Sequence, residues 1–124
     1  MKRISLALIA SLSLAAPSLA APGDMNVAAF LAKADALRAK GPMALFSSDY
    51  KLLKSEGEAA GAAYRSRLNA ERASGRPSSC PPKGTKVASD KLLAFLRTYP
   101  EAQRPRTSMK QAIGDFFARH YPCS

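Results

Sequence analysis

The sequence predicts an all-α fold, a compact bundle of about four helices with one disulfide, on three observations. Strand signals are poor: beyond residue 20 the chain has two valines and one isoleucine and no clean apolar–polar alternation. Apolar residues recur instead at three- and four-residue spacing in four separate stretches. The cysteines number two, Cys80 and Cys123, and so allow a single intramolecular pair. A length of 124 residues admits one domain, not two.

The first helix is predicted over residues 26–40. Asp24 or Asn26 offers the cap, Phe30, Leu31, Ala34 and Leu37 share one face, and Gly41-Pro42 stops it. Met43-Ala44-Leu45-Phe46 is a short apolar turn, and Ser47, Ser48 and Asp49 supply the next cap. The second helix, over 49–74, is the longest. Tyr50, Leu53, Gly57, Ala60, Tyr64 and Leu68 fall on one stripe, and its small residues predict close approach of another helix. The competing expectation is a kink near Gly57.

Residues 75–84, rich in Gly, Pro and Ser, form a loop by every local rule. The third helix is predicted from Thr85 or Lys86 to Tyr99, with Ala88, Leu92, Phe95, Leu96 and Tyr99 inward and Pro100 as the stop. A Pro-containing connection follows over 101–106. Ser108 and Gln111 have the spacing of a capping box for the fourth helix, whose inward face is Met109, Ala112, Ile113, Phe116, Phe117 and His120. Tyr121-Pro122-Cys123 ends it.

Residues 1–20 have the parts of a secretory signal peptide: basic Lys2 and Arg3, an apolar run from Ile4, and Ser18-Leu19-Ala20 as a small-x-small cleavage site. The mature domain is then 21–124, periplasmic or secreted. In an oxidising compartment Cys80 and Cys123 are expected to pair. The net charge is +10, and loss of Lys2 and Arg3 with the leader lowers it to +8. Nucleic acid is a poor partner for an exported chain with scattered charges and no interleaved aromatics. No further apolar run is long enough to span a membrane.

One histidine and two cysteines exclude a zinc finger or a His/Cys-rich metal site. His120 is the only histidine available for acid–base work, and its place on an apolar face predicts a half-buried structural role. A hydrolase built on it ranks low, with no G-x-S-x-G elbow present. Glu56 and Glu58, two apart on a helix, point to different faces and make a poor acid–base pair. Neither an enzyme nor a cofactor is expected. Lys54, Arg65, Arg72 and Arg76 are 11, 7 and 4 residues apart; at a helical turn of 100° per residue they lie within about 40° of one another. They are the candidate partner-binding stripe, a docking edge for an acidic partner or an anionic envelope polymer.

Three segments carry a resemblance: Cys80-Pro81-Pro82, then Phe95-Leu96-Arg97-Thr98-Tyr99-Pro100-Glu101, then Phe117-Ala118-Arg119-His120-Tyr121-Pro122-Cys123. Over residues 80–123 the chain resembles the Rap/Tai family of type VI secretion amidase immunity proteins. Leu96, Pro100, Glu101, Tyr121, Pro122 and Cys123 occupy that family's landmark positions. The family often has a further cysteine in the central helix, where this chain has Gly61-Ala62-Ala63-Tyr64. The resemblance implies a small helical periplasmic binding protein that blocks a secreted peptidoglycan amidase. It also implies a disulfide and, for some members, a homodimer. The alternative is a general periplasmic envelope or stress protein without a dedicated effector.

Overall fold

Asn26 starts the first helix by accepting a hydrogen bond on Oδ1 from the Ala29 amide at 2.8 Å. In the computed structural model, which describes residues 21–124, this helix, α1, spans Val27–Ala39. The expected leader, residues 1–20, lies outside the described residues. A 3₁₀ turn, Gly41–Phe46, leads to α2, Ser48–Ala73, capped by Ser47 Oγ on the Asp49 amide. Then come α3, Ser89–Leu96, a short 3₁₀ turn at Arg104–Arg106, and α4, Met109–His120. The described chain is all-α, and Cys80 is bonded to Cys123.

Ser108 caps α4 as its spacing predicts, its Oγ accepting from the Gln111 amide at 3.1 Å. The two cap residues, Asn26 and Ser108, also face each other in an isolated antiparallel bridge. The Val27 amide donates to the Thr107 carbonyl at 2.9 Å, and the Met109 amide to the Met25 carbonyl at 2.8 Å. First-turn amides that have no intrahelical partner are satisfied this way, so α1 and α4 are launched from a common base.

The core is a single apolar cluster. Phe30, Leu31 and Leu37 of α1 meet Leu53, Ala60, Tyr64 and Leu68 of α2, Phe95 and Leu96 of α3, and Met109, Ala112, Ile113, Phe116 and Phe117 of α4. The contact between α2 and α4 is the most extensive, and α1 lies against both. Phe95, Phe116 and Phe117 pack edge to face in sequence, with centroids 5.5 and 5.6 Å apart.

Gly23 is buried with φ +92°, a conformation that L side chains rarely adopt. A Cβ there would stand 3.1 Å from the Ala60 amide nitrogen, so the N-terminal segment lies against the backbone of α2. Glu56, buried on that helix, fastens it: its Oε2 accepts from the Gly23 amide at 2.7 Å and the Met25 amide at 3.3 Å. Glu56→Ala leaves both amides without this acceptor and should destabilise the domain by about 2 kcal/mol. Urea denaturation and faster exchange of the Gly23 and Met25 amides would register the loss; unchanged values of both would contradict this role.

Three expectations are corrected. The third helix begins at Ser89, not at residue 85 or 86, and ends at Leu96, not Tyr99. Ahead of it, Gly84 takes φ +80° and the Thr85 amide and hydroxyl both donate to the Pro82 carbonyl, so the chain makes a turn there before it enters the helix. At the other end Arg104 closes the helix from outside, Nε donating to the Tyr99 carbonyl at 3.0 Å and Nη2 to the Arg97 carbonyl at 2.9 Å. The helix 48–73 is unbroken, without a kink-forming interruption at Gly57. Nor does another helix close on its glycines: a Cβ at Gly57 would meet nothing within 4 Å.

Candidate functional site

The uncovered glycine stripe is the floor of a cleft of about 920 Å³. Helices α2 and α3 do not pack on each other, and the cleft occupies the space between them. Phe30, Ala34 and Leu37 line it from α1, Leu53, Gly57, Gly61, Tyr64 and Leu68 from α2, and Leu92 and Leu93 from α3. Ile113 and Phe117 of α4 complete the apolar interior, and residues 81–87 form the remaining wall. This volume and predominantly apolar lining are those of sites that enclose a ligand or a partner's side chains.

The wall over 81–87 is fixed by three contacts. Cys80 is bonded to Cys123, with the Cα atoms 5.0 Å apart. The Cys80 amide donates to the Tyr121 carbonyl at 2.7 Å. Fully buried Ser79 shares a hydrogen bond with the Tyr64 hydroxyl at 2.5 Å. Tyr64 in turn stacks on Phe117, with centroids 4.2 Å apart and planes 12° from parallel. The disulfide, the hydroxyl pair and the ring stack therefore join the loop, α2 and the end of α4 at one point beside the cleft.

Five cations line the cleft: Lys54, Arg65 and Arg72 from α2, Lys83 and Lys86 from the loop. Glu58 is the single acidic residue among the lining. None of the five cations forms a salt bridge among the described residues. The chain's nine acidic residues are largely engaged elsewhere. Asp24, Asp35, Asp49 and Glu71 pair with Lys110, Arg97, Lys33 and Arg67. Glu56 holds the N-terminal amides, and Asp115 accepts from the Tyr99 hydroxyl. The rim is consequently a concentration of positive charge over a low-dielectric floor, which strengthens its attraction for anionic groups.

Three of the four predicted stripe residues, Lys54, Arg65 and Arg72, thus share the cleft. Arg76 does not, because α2 ends at Ala73 and Gly75, with φ +74°, turns the chain away. The Arg76 amide donates to the Glu71 carbonyl at 2.9 Å. Glu71 also accepts from the Ser78 hydroxyl and amide. Those bonds, with Arg67 nearby, hold its carboxyl below the ordinary value of 4.5.

Lys83 and Lys86 escaped the sequence reading. They lie outside any helical repeat, and contacts distant in the chain, at Ser79 and Cys80, bring their segment to the cleft. His120 is not half-buried as expected but exposed at the end of α4. Its ring stacks on Phe116 at 4.1 Å and its Nδ1 lies 2.9 Å from the Phe116 carbonyl. Tyr99 is held well above the ordinary tyrosine range, first by burial and then by its hydrogen bond to Asp115. Neither group reaches the cleft.

Comparison with family models, with curated proteins and with solved structures gives no match to this chain.

The open space over Gly57 yields a direct prediction. Gly57→Ala should stabilise the domain by about 1 kcal/mol, because a helical glycine loses more backbone freedom on folding and the added methyl meets no neighbour. A thermal midpoint unchanged or lowered by this substitution would contradict the open floor.

Proposed function

We propose that this chain is an exported binding protein that acts by holding a protein partner, in the manner of the amidase immunity proteins it resembles over residues 80–123. The observation that carries the reading is the unpaired cationic rim, Lys54, Arg65, Arg72, Lys83 and Lys86, around an apolar floor. The matching partner surface is an acidic segment with an apolar or aromatic tip. Its carboxylates would take bidentate contacts from Arg65 and Arg72, and its apolar tip would enter among Leu53, Leu92 and Phe117. The disulfide keeps the cleft walls in place before binding, which lowers the ordering cost of association.

The partner class is a secreted peptidoglycan amidase, and the compartment is the periplasm. The described residues contain no helix long and apolar enough to cross a membrane, and the disulfide suits an oxidising compartment.

The test is capture from periplasmic extract combined with growth protection. The wild-type mature protein should retain a peptidoglycan hydrolase and protect cells that express it. Arg65→Glu with Arg72→Glu should weaken capture at least about tenfold while thermal stability is kept, since both side chains are exposed. Recovery of no hydrolase, together with no protection, would overturn the reading.

A further inference from the structure

The turn between α1 and α2 presents apolar side chains to water. Phe46 is 81% exposed, Met43 67% and Leu45 60%, and only Ala44 between them is partly covered. Leu52, one turn into α2, is exposed as well. Residues 43–46 read in the sequence as a short apolar turn or one loop of helix; in the structure this 3₁₀ turn projects outward. It is also preformed. Gly41, the first residue of the 3₁₀ turn, takes φ +60°, Pro42 fixes the backbone of the second, and the Ser47 amide closes the turn on the Ala44 carbonyl at 3.0 Å.

The charges left without a partner around the tip have one sign among the described residues. Arg38, Lys40 and Lys51 are all exposed beside it, and Lys40 Nζ lies 3.4 Å from Ser47 Oγ at the end of the turn. Asp49 is the one acidic residue in this stretch, and Lys33 neutralises it at 3.2 Å. A few large apolar side chains on a projecting turn, flanked in the chain by exposed cations, match an anionic lipid interface. The side chains enter the headgroup–acyl boundary while the cations contact phosphates. Three side chains on a single turn provide far less than the ~800 Å² per partner of a stable protein interface, so a second copy is the poorer occupant.

We infer that Met43, Leu45 and Phe46 form a membrane-docking tip for anionic phospholipid surfaces, with Arg38, Lys40 and Lys51 as its phosphate contacts. The site is separate from the cleft-binding reading and does not depend on it. It would hold the domain at a bilayer surface without a membrane-spanning segment.

Vesicle flotation tests this with the mature, oxidised protein. Vesicles of phosphatidylcholine with about one-third phosphatidylglycerol should carry the protein at low salt, and pure phosphatidylcholine vesicles should not. Met43→Ser, Leu45→Ser and Phe46→Ser together should reduce partitioning at least about tenfold with the thermal midpoint unchanged, since these side chains contribute little to the core. Lys40→Gln and Lys51→Gln should each reduce it about fivefold. Three results would overturn the inference: no binding to the anionic vesicles, undiminished binding by the triple-serine variant, or a concentration-dependent dimer that the triple-serine variant dissociates.

Discussion

Replacing both Cys80 and Cys123 with alanine should lower the unfolding free energy by about 4 kcal/mol. The two residues are 43 positions apart. Cross-linking a loop of that size removes about 4 kcal/mol of chain entropy from the unfolded state. A domain of this size has roughly 5–15 kcal/mol in all, so the variant should be partly unfolded at physiological temperature. The loss should also be uneven. The amides of residues 79–87 should lose protection from exchange first, because the bond fixes that wall of the cleft to the end of α4. Urea denaturation with and without reductant measures the total, and hydrogen exchange measures the distribution. A stability within about 1 kcal/mol of the oxidised protein, with loop protection retained, would show that Ser79, Tyr64 and Phe117 hold the wall without the covalent link.

Phe117→Ala should cost about 3–5 kcal/mol, the range for removing a buried aromatic side chain and leaving a cavity. Phe117 is buried, stacks on Tyr64, meets Phe116 edge to face and lies 5.7 Å from the Tyr121 ring. Its loss frees Tyr64, whose hydroxyl holds Ser79, and so loosens the same wall from inside. The effects of Phe117→Ala and of the cysteine replacements should therefore fall short of additive, since both act on one junction. Each single variant, the combined variant and the parent, compared by urea denaturation, give the coupling directly. Strict additivity would show that ring stack and disulfide stabilise separate parts of the domain.

The helices and the cation stripe were legible in the sequence to different degrees. Ser108 is legible as a cap, and Asn26 as one of two candidates with Asp24, because a cap needs only a local side-chain oxygen and a following apolar period. The inward faces of the first and fourth helices follow from spacing alone, apart from His120. The third helix begins later than its sequence predicts, because Lys86, Val87 and Ala88 have no local feature that forbids helix. Glu56 reads only as half of a poor acid–base pair with Glu58, and nothing nearby in sequence shows that the Gly23 and Met25 amides, 33 and 31 residues away, close on it.

The sequence by itself determined the all-α class, the cysteine pair and the placement of Lys54, Arg65 and Arg72 on one side of the long helix. The helical class and the cation placement depend on residue type and a repeat of three or four positions, and the cysteine pair on there being two cysteines. Only the tertiary structure decided that Gly57 and Gly61 face an open cleft rather than a packed helix, and that Lys83 and Lys86 join its rim. It also decided that Met43, Leu45 and Phe46 project into solvent. Helical period fixes the direction of a side chain around its own axis, whereas what lies opposite is set by contacts between segments far apart in the chain. Here those contacts are the bond from Cys80 to Cys123, the Tyr64–Ser79 hydrogen bond and the stack of Tyr64 on Phe117.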